Sequence, residues 1–517
     1  MRRKVLSVFG PIILALIVFS AVATADVKPA PLFTSHGILQ RERPVPVWGT
    51  ADSGEKVSVS FAGHSASTTA DEDGKWMVEL PPLQANSQPA KLVIQGKNNI
   101  TLNDIVVGEV WVCSGQSNME MGIKNVNNAQ QEIKNAKYPH IRLFNVGRQT
   151  SGLPESEVKG TWKRCSPETI VQEGWGGFSA AGYFFARRIH KELDVPVGAI
   201  SSNWGGTRIE PWTPRQGFKA VPELHSYVKQ IDKLRSTYLD RVKQTLKDYE
   251  EWAASESRAL RDDKPAVEEP EWPSTPFTES RFGRAGGPTV LYKGMIHALV
   301  PYGIRGALWY QGESNMGDGL VYHDKMKALI RGWRAVWGQG DFPFLYVQLA
   351  PWEPYGDGQL PEIWDAQRRT LSVPNTGMAV TTDVGDLKDI HPKNKQAVGR
   401  RLALWALART YGKSDLVYSG PLFKSATVEN STVKVDFSHT GSGLTVRGEG
   451  SLEWFEIAGK DGEFVKATAK IEGDQVVVTS DEVQEPTAIR FGWDKTANPR
   501  LINKEGLPAS PFRAALK

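Results

Sequence analysis

Cysteine is nearly absent: Cys113 and Cys165 are the two thiols in 517 residues. That excludes a disulfide scaffold, and their spacing matches no zinc pattern. Cys113 lies in an apolar run, where a free thiol packs as a small hydrophobe; a bridge between the two stays open at this level. Charge of one sign is lacking too. The 62 Lys and Arg face 58 Asp and Glu, and Arg2, Arg3 and Lys4 supply three of the net +4. No basic field suited to nucleic acid remains. The nine histidines are scattered with no His-Glu-x-x-His, so neither metal nor other cofactor is expected. After residue 25 no apolar run is long enough to span a bilayer. Internal repeats are missing, and low complexity is confined to a Pro/Glu stretch at 264–276.

What is present reads as several segments. Residues 1–25 carry a positive start, an apolar stretch from Val5 to Val22 and small residues at Ala23-Thr24-Ala25. That pattern predicts a secretory signal peptide, hence a secreted or periplasmic protein with no membrane contact after cleavage. The length and the 17 Trp predict a well-packed chain of two to four domains. Residues 26–104 hold short alternating runs punctuated by Gly, Asp, Asn and Pro, as in Lys56-Val57-Ser58-Val59-Ser60-Phe61, and predict a β-sandwich. From 105 to 415 the rhythm becomes strand then helix. Apolar runs at 109–113, 197–201, 306–310, 344–348 and 378–382 alternate with helical patterns at 180–193, 322–337 and 396–411. Near-continuous apolar strands between helices predict an α/β fold with a doubly wound parallel sheet. A charged helical stretch and the Pro-rich segment form an insertion at about 216–286, and 416–517 returns to β alternation. The architecture expected is thus a parallel α/β unit flanked by two small all-β domains.

Ligands bind such sheets beyond the C-terminal strand ends, and four polar clusters fall there. Gly115-Gln116-Ser117-Asn118-Met119 follows the first run. A serine on a strand-to-helix turn is exposed, and its own N–H and the helix start favour an oxyanion; the plainer reading of Ser117 is a helix cap. A serine hydroxyl needs a base to become a nucleophile. Asp389-Ile390-His391-Pro392 supplies one: His391 as base, with Asp389 holding the imidazole tautomer and Asp386 and Asp383 as competitors. Gly205-Gly206 after the second run can bring a backbone N–H close, having no Cβ. Gln311-Gly312-Glu313-Ser314-Asn315 after the third offers side-chain amides. Glu313 can steer Gln311 or Asn118 by hydrogen bonding, or, paired with Glu210 or Asp389, act as a glycosidase carboxylate. Trp204, Trp212, Trp309 and Tyr310 flank these loops, as sugar-stacking faces or as core.

Together, Gly115-Gln116-Ser117-Asn118-Met119, Gly205-Gly206-Thr207, Trp309-Tyr310-Gln311-Gly312-Glu313-Ser314-Asn315 and Asp389-Ile390-His391-Pro392 resemble the sialate O-acetylesterase family of the SGNH-hydrolase superfamily. The resemblance spans nearly the whole mature chain. It implies a flavodoxin-like SGNH catalytic domain and a serine esterase acting on acetylated carbohydrate. It makes Ser117 the nucleophile, His391 the base, and Ser117, Gly205 or Gly206, and Gln311 the oxyanion donors. Asn118, Glu313, Asn315 and Trp309 are then substrate-binding or supporting residues. The sequence departs from the superfamily twice. Gln311 and Asn315 compete where a Gly-x-Asn is usual, and Lys388 stands where the acid usually precedes the base by three residues. Asp389 is the acid chosen here, and a Ser–His dyad is the alternative. The resemblance implies O-acetylated sialic acid as the substrate; acetylated xylan or another polysaccharide, which would use the same residues, is the alternative, and a non-catalytic glycan-binding protein is the reading from another class.

Overall fold

A computed structural model describes residues 26–276 and 286–516. The stretch read as a signal peptide, and part of the insertion, lie outside the described residues. Among the described residues no helix is long and apolar enough to cross a membrane.

The organising element is one 17-residue strand, β1 (Asn99–Gly115). Its first residues alternate exposed and half-buried, and from Ile105 onward every side chain is buried. The first half pairs antiparallel with strand Asn86–Gln95 in the N-terminal β layer. The second half is the centre of a parallel sheet. The alternation matches one solvated face, and the continuous apolar run matches a strand covered on both faces. Position 104 is therefore inside a strand. The N-terminal layers share one continuous apolar core with the α/β unit, whereas the C-terminal strands enclose a core of their own.

The other sheet strands are β2 (Tyr138–Asn145), β3 (Trp162–Cys165), β4 (Val197–Asn203), β5 (Gly306–Tyr310), β6 (Phe344–Val347) and β7 (Thr376–Ala379). They lie in the order β3-β2-β4-β1-β5-β6-β7, all parallel except β3. All five predicted strands are present. β2 is an addition the sequence reading missed; its Arg142 is buried and paired with Asp104. The chain steps to one side of β1 and then to the other, so the reversal lies at β4-β1-β5. Register aligns the ends there: Asn203 and Tyr310 both sit opposite Gly115.

Helices cover the sheet. After the single turn α1 (Ser117–Glu120) come α2 (Ala180–Leu193), α3 (His225–Arg261), α4 (Val321–Trp337), α5 (Gln359–Arg369) and α6 (Lys395–Arg409). α2 is capped by Ser179, whose hydroxyl accepts from the Gly182 N–H. It packs on α6 so closely that a Cβ at Gly399 would stand 2.5 Å from the Phe184 Cβ. α3 is the long helix of the insertion and is mostly exposed. Both cysteines are free and buried, and burial raises each thiol to about 12.

Candidate active site

The turn leaving β1 is possible because of Gly115. Its φ is 141°, and a Cβ there would lie 2.1 Å from the Tyr310 carbonyl oxygen. Only glycine tolerates both the angle and the approach of β5. The chain then turns into α1, and Ser117 is left partly exposed at the floor of a cavity of about 910 Å³. Among the described residues nothing accepts from the Ser117 N–H. With only one helical turn behind it, that free N–H is what this turn offers a negative charge, not a long dipole.

His391 arrives on the loop before α6, and its Nε2 lies 2.9 Å from Ser117 Oγ. Burial lowers the imidazole pKa, and Lys395 lowers it further, while Asp389 opposes them. The net shift is below the ordinary value, so the ring is neutral at pH 7 and able to take a proton. Asp389 is the acid beside it, but loosely. Its Oδ1 accepts from the His391 backbone N–H at 2.9 Å and stands 3.5 Å from Nδ1, with the side chain 42% exposed. The competitors are engaged elsewhere. Asp383 holds Arg401 in a two-pronged pair, and Asp386 accepts from the Lys388 N–H.

The expected oxyanion donors need correction. Gln311 is fully buried, with Nε2 within bonding distance of Gln116 Oε1, the Thr207 carbonyl and Asn315 Oδ1, and with Oε1 accepting from Tyr322. Its amide ties β5 to the loops on either side and has nothing left for a substrate. Asn315, its rival, is also fully buried and spends its amide on Glu210 and Asp318. The Gly205 N–H donates to Glu120 Oε2 at 2.7 Å. Gly206 has φ 74° and no acceptor for its N–H among the described residues. Trp309 is core, edge-on to both Trp212 and Trp333, not a sugar platform.

Asn118 and Glu313 are joined: Asn118 Nδ2 donates to Glu313 Oε1 at 2.5 Å and to the Ile390 carbonyl at 2.9 Å. Glu313 thus bonds Asn118 and not Gln311. The glycosidase reading is corrected too. Burial would raise the Glu210 carboxyl, but Lys325 and Arg208 hold it at about 2, within an ion cluster that also takes in Asp318. Glu210 and Glu313 are both absent from the cavity wall.

The wall contains residues that sequence reading did not single out. Trp175, 41% exposed, sets its ring edge-on to His391 at 4.9 Å. It sits in Gly174-Trp175-Gly176-Gly177, where all three glycines have positive φ; a Trp framed by glycines was the available signal. Arg148 pairs with Glu120 and covers the Trp204 ring at 5.5 Å. Asn203 ends β4 and donates one amide N–H to Ser201 Oγ. Asn203 opens the cluster at 203–207 that the sequence places at a strand end, whereas Glu120 and Arg148 belong to no motif, and only the fold brings them to it. Among the described residues no group of three or more His, Cys, Asp or Glu could hold a metal ion.

Comparison with known proteins identifies the family. The chain matches the family described as carbohydrate esterase, sialic acid-specific acetylesterase, over residues 107–249 and 280–408. It is 31% identical over 458 residues to the sialate O-acetylesterase of Mus musculus, covering 81% of this chain and 80% of that one. The sialate O-acetylesterase of Homo sapiens is 30% identical over 412 residues, 73% of this chain and 69% of that one. A carbohydrate acetylesterase structure from Xanthomonas citri is 35% identical with a TM-score of 0.78, over 94% of this chain and 99% of that one. A serine and a histidine in contact at the switch point of a parallel sheet, and this breadth of likeness, converge: the chain is a carbohydrate esterase of the sialic acid-specific acetylesterase family.

Proposed function

We propose that this esterase works through a Ser117 acyl-enzyme with His391 as its base, and that its substrate is an O-acetylated sialic acid. The observation that carries the mechanism is the 2.9 Å contact between Ser117 Oγ and a neutral His391 Nε2 on the floor of an open cavity. As Oγ attacks the acetyl carbonyl carbon, its proton passes to Nε2 and the carbonyl electrons move onto oxygen. The oxyanion meets the unspent N–H of Ser117, with the second amide hydrogen of Asn203, also on the cavity wall, as a further donor. Collapse breaks the bond to the sugar oxygen, which takes the proton from His391. Water then attacks the acetyl-serine and gives a proton to His391; acetate leaves, and the proton returns to Ser117. No step draws on a metal or cofactor.

The substrate rests on the relatives, two of which are sialate O-acetylesterases. A second reading, an acetylated polysaccharide, is favoured by the cavity wall. Glu120 and Glu173 balance Arg148 and Lys159, and the exposed Trp175 offers an indole to a neutral sugar ring. Acetate release from 9-O-acetylated sialic acid, acetylated xylan and acetylated pectin separates the two. Ser117→Ala is the blank, expected to lose several powers of ten in turnover, of the order seen when a triad nucleophile is removed. Full activity in that variant would refute the mechanism. Export by the segment 1–25 belongs to the same proposal, and a secreted chain beginning at Asp26 is the outcome it requires.

A further inference from the structure

Lys395 is wholly buried at the start of α6 and takes no part in the steps above. Its Nζ donates to Asn118 Oδ1 at 2.6 Å and to the Pro392 carbonyl at 2.8 Å, and lies 5.2 Å from the Tyr310 ring centroid. Asn118 follows the nucleophile directly. With its oxygen held by Lys395, the amide must turn Nδ2 toward the Ile390 carbonyl and Glu313 Oε1. The carbonyls on both sides of His391, those of Ile390 and Pro392, are thereby clamped by one buried cluster whose middle member is the neighbour of Ser117. Glu313 closes the cluster, and its Oε2 is sealed from solvent with no hydrogen-bond partner among the described residues.

We propose that Lys395 is a positioning residue for the hydrolysis: acting through Asn118, it fixes the His391 loop to the Ser117 turn and sets the Ser–His alignment that Asp389 leaves loose. The proposal rests on the reading of Ser117 and His391 as nucleophile and base. Burying an amine and a carboxyl is costly unless each is satisfied, and an apolar residue at 395 would pack there without that cost. What the amine adds is two directed hydrogen bonds to parts of the site that are distant in sequence. Burial pushes the Lys395 amine down to about 7 and raises the Glu313 carboxyl. Either form of the amine keeps at least two N–H groups, so both bonds survive its titration. The charged groups facing the cluster are Asp389 from the base loop and Glu313 from the turn after β5.

The test uses the full chain and 4-nitrophenyl acetate, with kcat and KM measured across pH. Lys395→Met keeps the length and removes the donors. It is expected to lower kcat about 10²-fold with KM unchanged within about twofold, the cost of a small misplacement of reacting groups. It also removes a positive charge that opposes protonation of His391, so the acid limb moves to higher pH. A packing role alone would not produce that kcat-only loss together with the shifted limb. Asn118→Ala is expected to match the kcat loss, and the double variant to be no slower than the slower single. A folded Lys395→Met with the parent's kcat and acid limb would overturn the proposal. Should that variant not fold, Asn118→Ala decides: a parent-like kcat overturns the proposal, and the 10²-fold loss supports it. A parent chain no faster than Ser117→Ala would overturn the Ser–His reading itself and this proposal with it.

Discussion

Replacing Asp389 by Asn tests how much of the base's strength comes from its acid. In a tightly built triad the acid is buried and bonded to the imidazole, and its amide replacement costs about 10⁴-fold by enforcing the wrong tautomer. Here the carboxylate is 42% exposed, sits 3.5 Å from Nδ1, and bonds the His391 backbone N–H instead. Two unit charges at that distance interact by about 1.2 kcal/mol in water-like surroundings, or about sevenfold in rate. Asn keeps an oxygen for the backbone N–H, so the loop holds its shape. The expected result is a kcat/KM reduced about sevenfold. Asp389 raises the His391 pKa against burial and Lys395. Removing the carboxylate lowers that pKa, so the acid limb of kcat/KM moves to lower pH. Initial rates on 4-nitrophenyl acetate between pH 4 and pH 9, roughly spanning the imidazole range, give both numbers. A loss of about 10³-fold or more, or a limb moving upward, would refute the argument and restore Asp389 to a full triad role.

Three further outcomes follow from the same geometry. Trp175→Ala, which removes the ring at 4.9 Å from His391 and opens the cavity wall, should raise KM for a sugar ester several-fold while changing kcat on 4-nitrophenyl acetate little; equal effects on both substrates would count against a sugar-stacking role. Gly205→Ala places a methyl 3.1 Å from Glu120 Oε2 and 3.2 Å from Ser117 Cβ, so kcat/KM should fall by about tenfold or more with the melting temperature nearly unchanged, read by kinetics and thermal denaturation together. Both cysteines are buried with raised pKa values, so a thiol-specific disulfide reagent should titrate neither in the native chain and both after denaturation; a native-state reaction would show one of them exposed.

The parallel strands were legible because burial on both faces leaves an apolar run with no alternation, as at 109–113 and 306–310. Ser117 and His391 were legible because each sits in a turn whose neighbours, Gly115 before one and Pro392 after the other, mark a chain reversal. β2 was hidden because His140 and Arg142 break its apolar run, and Arg142 is tolerated inside only by pairing with Asp104. Gln311 misled for a related reason. A polar residue at a strand end reads the same whether it faces a cavity or cross-links the core, and here Tyr322 and Asn315 claim it. The cavity wall was only partly readable: Ser117, Gly205, His391 and Trp204 stand in or beside the motifs, but Glu120, Arg148 and Trp175 join them only after α1 and the loops beyond β2 and β3 are in place. Lys395 was hidden by its type: nothing in a helix start marks a lysine as buried.

The long strand β1 has a consequence for how this protein can be taken apart. One end is stitched into the N-terminal β layer and the other ends two residues before Ser117. A cut at residue 105 would take a third of the sheet's central strand and its antiparallel neighbour with it, so the N-terminal layer is not a detachable cassette. A proline introduced near Asn99 would break the pairing with Asn86–Gln95 locally, while the pairing with β4 and β5 holds the buried half in register up to Gly115. The C-terminal strands have a core of their own, yet the buried pair of Gln348 and Ser510 ties them to the end of β6, so they too cannot be exchanged without reaching the catalytic sheet.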